Sequence, residues 1–185
     1  MENVMKKILR SNKGQSLVEL TMVAPLMILM TFGVIEVGQI ISVYLGLTQT
    51  TREGANLVSR GEDPSVALDT VVTASAPSIR TNNQNQWKII YTKITQKPGI
   101  PCPPPQPCTY EVSQQITRGN YNQTSQIGRI KDVVTLPGIN NVKAGQIFHT
   151  MEAFYDYGPN VVTFVGNGLN KNFYDRTIFT DVSGR

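Results

Sequence analysis

Between Glu19 and Glu36 the chain runs from Leu20 to Ile35 without a charged residue. With Leu17 and Val18 added, a helix over this stretch rises about 28 Å at 1.5 Å per residue. That is close to the ~30 Å hydrocarbon thickness of a bilayer, so the segment has the length of a membrane span. A secretory signal peptide fits poorly. The apolar run exceeds the usual ~7–15 residues and no small-x-small cleavage site follows it. A permanent anchor with its N-terminus inside is the expectation.

The helical pattern continues past Glu36. Val37, Ile40, Ile41, Tyr44, Leu47, Thr51, Ala55 and Val58 recur at three- and four-residue steps. Gln39, Ser42, Gln49, Arg52, Glu53, Asn56 and Arg60 fall on the opposite face. The spacing predicts one helix over 15–60, lipid-embedded in its first half and an amphipathic stalk in its second. Pro25 predicts a bend, since it removes a backbone hydrogen bond. Gly61 is placed to cap the C-terminus. Gly38, Ser42, Gly46, Thr50 and Gly54 repeat every four residues. Such a ridge either lets a second helix approach closely or is simply tolerated in an exposed stalk. Glu36 falls near the outer membrane interface, where solvation is favoured over pairing with a partner helix.

The net charge of +4 and pI near 9.1 raise the question of nucleic acid. Its distribution answers it. Lys6, Lys7, Arg10 and Lys13 stand against Glu2, so the first fourteen residues hold three of the four net charges. A nearly neutral remainder offers no basic stripe for phosphates. The leader charge instead reads as the cytoplasmic flank of a membrane helix.

Gly14 closes that leader, and Glu19 follows five residues later. Embedding four cations costs about 2.5–3.5 kcal/mol each at a helix centre, so removing them frees the N-terminus to enter the bilayer. Cutting after Gly14 also creates an α-amino group on Gln15, a cation within reach of a neighbouring subunit's Glu19 carboxylate. On spacing alone, a snorkelling Glu19 and a flexible Gly14 remain open alternatives.

The segment Gly14-Gln15-Ser16-Leu17-Val18-Glu19 through Ala24-Pro25-Leu26 resembles the N-terminus of TadE-like minor pilins of the tight-adherence (Tad) type IV pilus. Gly33 to Gly38 and Thr51-Arg52-Glu53-Gly54-Ala55 extend the likeness to about a quarter of the chain. The resemblance implies cleavage between Gly14 and Gln15 by a membrane aspartyl prepilin peptidase, with Glu19 in the motif position. It also implies a low-copy pilus component. The major pilins of that system are far shorter and usually carry Tyr where Leu20 stands here.

Beyond the helix, 61–185 reads as a small outward domain, giving an α+β chain with an antiparallel sheet. Asp63-Pro64 predicts a helix start, with Val66, Leu68, Val71 and Val72 on its apolar face. Strands are expected over Trp87–Thr95, Thr109–Ile116, Gly145–Tyr157 and Val161–Val165, with an edge strand near Val133–Leu136. Cys102 and Cys108 flank a proline-rich loop, and in an outward-facing segment they suggest a disulfide. A metal site would need more ligands than these and His149 supply. His149 reads as packed or hydrogen-bonded rather than catalytic. Asn122-Gln123-Thr124 matches a glycosylation acceptor, a pattern short enough to arise by chance. Tyr155, Tyr157, Phe173, Tyr174 and Phe179 are core candidates, with an aromatic adhesive patch as the rival reading.

No nucleophile–base pair, phosphate loop or carboxylate pair stands out, so neither an enzyme nor a cofactor or metal is expected. The expected function is that of a minor pilin in the bacterial inner membrane, single-pass with a cytoplasmic N-terminus and periplasmic C-terminal domain, reaching the pilus surface on assembly. Its expected partners are the prepilin peptidase, other pilins and minor pilins, the inner-membrane assembly platform and membrane lipid. Glu19, Glu36, Gly38, Ser42 and Gly46 are the candidate assembly residues. The rivals are a type II-like secretion pseudopilin and a single-pass anchored adhesin or sensor.

Overall fold

The computed structural model describes residues 12–76, 78–100, 108–134, 145–158 and 171–181. Helix α1, Asn12–Ser59, is one unbroken element that runs through Pro25. Its end is set by a Schellman turn. Gly61 adopts φ +99°, its N–H donates to Val58 O, and the Glu62 N–H donates to Leu57 O. Only a residue without Cβ enters that conformation cheaply. Helix α2, Pro64–Ser75, begins where expected. Asp63 accepts hydrogen bonds from the Ser65 and Val66 N–H groups, with Pro64 in the first helical position.

Among the described residues five strands follow: β1 Trp87–Gln96, β2 Tyr110–Arg118, β3 Val133–Val134, β4 Phe148–Tyr157 and β5 Lys171–Thr180. They form one antiparallel sheet in the order β3-β2-β1-β4-β5. A bulge at Ser113 shifts the β1–β2 register between Lys93 and Ile94, and the Ser113 hydroxyl donates to Lys93 O. The strands expected near 87, 109, 133 and 145 are present. The one expected over Val161–Val165 lies outside the described residues.

Strand β5 is a correction, because the sequence reading assigned no strand there. Phe173, Asp175, Thr177 and Phe179 share one of its faces, while Asn172, Tyr174, Arg176 and Ile178 share the other. Each face mixes polar with apolar residues, so the period-two alternation that reveals a half-buried strand is blurred.

Two compact units divide the chain within α1, between Gln39 and Ile40. The larger unit holds the second half of α1, α2 and the sheet. In its core Val43, Leu47, Ala55 and Val58 of α1 and Ala67, Leu68 and Val71 of α2 pack on Trp87, Ile89, Tyr91, Met151, Ala153, Tyr155 and Tyr157. The other sheet face carries a smaller cluster of Ile94, Tyr110 and Phe148, with Cys108 and Ile127 against it.

Candidate functional site

The candidate surface is that of α1, and its two parts differ. Ser16 to Ile35 is exposed at every position except Ala24 and Gly33, which are half-buried. Leu20, Met22, Leu26, Leu29 and Val34 are among the large apolar side chains left open. The segment is long and apolar enough to cross a membrane. Gly14 and Gln15 fall in the first turn of the helix, and Glu19 is exposed one turn later.

From Ile40 onward the helix is amphipathic in fact as well as in pattern. Val43, Leu47, Thr51, Gly54 and Val58 fall on one stripe and are buried. Extending that stripe back by its three- and four-residue steps reaches Ile40 and Glu36. Glu36 is 2% exposed, so the expected interface solvation is not what the structure places there.

The small-residue ridge divides for a geometric reason. A four-residue step turns a helix by about 400°, so each member sits roughly 40° further round than the last. From Gly38 to Gly54 the ridge drifts about 160°, crossing from the outward to the inward face. Gly38 and Ser42 are exposed, and a Cβ on Gly38 would meet nothing within 4 Å. Gly46 and Gly54 serve the domain itself. A Cβ on Gly46 would come to 2.5 Å from Ser78 Cβ, and one on Gly54 to 2.6 Å from Met151 Cε. Gly46, predicted as an assembly residue, is thus placed against its own domain.

Thr51 fixes the helix to the sheet through a polar contact. Its hydroxyl donates to Asp175 Oδ2 and lies 3.0 Å from Thr177 Oγ1, both on the helix-facing side of β5. Arg52 and Glu53 are exposed, Glu53 at the edge of a groove lined also by Ala74, Ser75 and Ser78. The motif Thr51-Arg52-Glu53-Gly54-Ala55 therefore combines inward docking residues with an exposed charged pair. Across the surface, Arg118 and the exposed Asp69 of α2 form an ion pair at 2.7 Å that holds the Asp69 carboxyl below its ordinary range.

Two buried polar centres lie within the domain. On the face of the sheet away from α1, Glu152 is completely buried. It accepts hydrogen bonds from the Ser125 hydroxyl, the Gln126 N–H at 2.9 Å and the Tyr174 hydroxyl at 2.9 Å. The polar 119–130 stretch is thereby strapped across the sheet. Lys88 Nζ adds a hydrogen bond to Gln123 O at 2.6 Å. The available sequence signal was a lone carboxylate inside Met151-Glu152-Ala153-Phe154.

The second centre is His149, hydrogen-bonded as expected. Its Nδ1 lies 2.8 Å from Tyr91 Oη, and its Nε2 lies 3.8 Å from Asp181 Oδ2. Burial pushes the Tyr91 phenol well above its ordinary range, so it stays neutral beside Nδ1, while Nε2 faces the Asp181 carboxylate. Burial also lowers the His149 pKa, against the opposing pull of Asp181. The grouping orients an imidazole inside the core and supplies no nucleophile. Among the described residues, no group of three or more His, Cys, Asp or Glu residues could hold a metal. Cys108 packs on the minor cluster, and its expected partner Cys102 lies outside the described residues. Tyr155 and Tyr157 are buried in the core, with Phe173 and Phe179 packed partly buried against it.

Residues 14–56 match the family model described as TadE-like protein. The resemblance read from Gly14 to Ala55 is borne out over that segment, which is TadE-like. No significant match is found among curated proteins or among solved structures.

Proposed function

We propose that this chain, TadE-like over residues 14–56, is a minor pilin of a Tad-type pilus. In this reading it waits in the bacterial inner membrane and is cut after Gly14 by a prepilin peptidase. It then joins the assembly platform and other pilins through α1. The observation that carries the proposal is the joining of that family segment to a helix whose first part is apolar and open all round.

Each site residue takes a physical role. Removal of Lys6, Lys7, Arg10 and Lys13 with the leader lifts the cost of drawing the N-terminus into an apolar bundle. The new amine on Gln15 pairs with Glu19 of a neighbour. Gly38 and Ser42 let that neighbour's helix approach closely, whereas Gly46 is already committed to Ser78. Residues 61–185 form the periplasmic domain, in which a Cys102–Cys108 bridge closes the proline-rich loop. That bridge is worth about 2 kcal/mol in the chain-entropy model, and less where prolines already stiffen the chain.

The test is the mass of the protein extracted from membranes of cells with and without the peptidase. The proposal expects a chain beginning at Gln15 only where the peptidase is present. A chain that begins at Met1 in both would overturn it.

A further inference from the structure

We infer that the outward face of α1 above the membrane is a self-recognition surface. It joins this chain, side by side and parallel, to a second copy of itself. The inference rests on the membrane-anchored reading above, because two copies anchored by the same end in one bilayer present their helices parallel and at the same height.

The surface begins where the membrane-length segment ends. Ile41 and Leu45 are 53% and 61% exposed, although they stand on the part of α1 that belongs to the folded domain. Ser42 lies between them and Gln49 one turn above Leu45, both exposed. At about 100° per residue these four positions make one ridge opposite the buried stripe. From Val37 to Thr51 the helix holds no charged residue. Such a ridge raised above the hydrocarbon calls for a protein surface as its cover.

The charges above the ridge identify that cover. Arg52 and Glu53 are neighbours in sequence, so they project about 100° apart, one on each side of the mean direction of the four ridge positions. Both are exposed, and among the described residues neither forms an ion pair. A ridge flanked by a cation on one side and an anion on the other is its own complement in a parallel two-fold pair. Arg52 of each copy meets Glu53 of the other, and both pairs form at one height. An unrelated helix would have to reproduce both charges at that height. Arg60 lies about 12 Å further along the axis, beyond this pairing. Exposed charge pairs add little affinity, so the apolar ridge supplies the attraction and the charges select partner and register.

The experiment uses the full chain in its native membrane, with Leu45→Cys oxidised to a disulfide-linked dimer and the parent chain as background. Gln49→Cys repeats the measurement, so that loss of the Leu45 side chain does not decide it. The expected result is a dimer of two chains whose yield drops several-fold with R52E or with E53R. The double reversal R52E/E53R should restore it. A yield indifferent to the single reversals, or not recovered in the double, would overturn the inference. So would a crosslink that forms only to a different protein. Pilus number counted in the same cells separates the two readings: normal pili without the charge-dependent dimer overturn self-pairing alone. The dimer in cells whose pili do not depend on this chain overturns the pilin reading and leaves the pairing intact.

Discussion

The two halves of α1 have the same backbone and opposite surroundings. From Leu20 to Ile35 the helix is uncharged around its whole circumference and largely open. From Ile40 to Ser59 it is buried along one stripe and polar on much of the other, within the compact unit that holds the sheet. A helix apolar all round needs an apolar solvent, whereas an amphipathic one needs a core on one side only. The same residue type therefore means different things in the two halves. Gly38 has open space around it, whereas a carbon added at Gly54 would press on Met151 Cε at 2.6 Å.

The sharpest way to break this contrast is to enlarge a small residue in each half. Gly54→Leu forces a side chain into Met151 and Val71 and should cost the domain at least the ~1–3 kcal/mol of core overpacking. Gly38→Leu should leave the thermal midpoint of the domain unchanged and act only on assembly. Equal loss of domain stability in both variants would erase the distinction.

Next in size is the clasp on the far face of the sheet. Glu152→Leu leaves the Ser125, Gln126 and Tyr174 donors without their acceptor, at roughly 1–3 kcal/mol for each donor that stays buried. Hydrogen exchange should rise across residues 119–130 ahead of the rest of the domain. Uniform acceleration over the whole sheet would mean that Glu152 supports the core at large rather than the strap.

A smaller effect follows from His149. Its folded pKa lies below the ordinary value of about 6.5, so the unfolded chain binds more protons in that window. Stability is then fully present above the unfolded pKa and declines as pH falls below it toward the folded value. His149→Gln should flatten that part of the profile, as read by thermal melts between about pH 7 and pH 5. A profile identical to the parent's would place the titration elsewhere. Smallest of all is Asp69→Asn. The carboxylate is exposed, so melts should show little change at moderate salt.

The contrast also marks what could be read from the residues. The extent of α1, the Gly61 cap, the Asp63-Pro64 start and strands β1, β2 and β4 all follow from local rules of period and capping, and the structure carries them. Strand β5 was hidden because Asp175 and Thr177 occupy its helix-facing side to meet Thr51, a partner far away in sequence. The strap over Glu152 was hidden for the same reason: a polar loop has no periodicity, and its anchor lies on another strand. The ridge from Gly38 to Gly54 was visible as a repeat. Its division between outward and inward faces emerged only when the helical drift met an actual domain.

The most direct measurement of the two-solvent account is a cysteine scan along α1 in intact membranes, probed with a membrane-impermeant maleimide from the outward side. The account predicts that positions across 20–35 stay unlabelled and that position 60 and positions 62 and 63 just past the helix, all exposed, label readily, with the change falling between them. Ready labelling throughout 20–35 would contradict it.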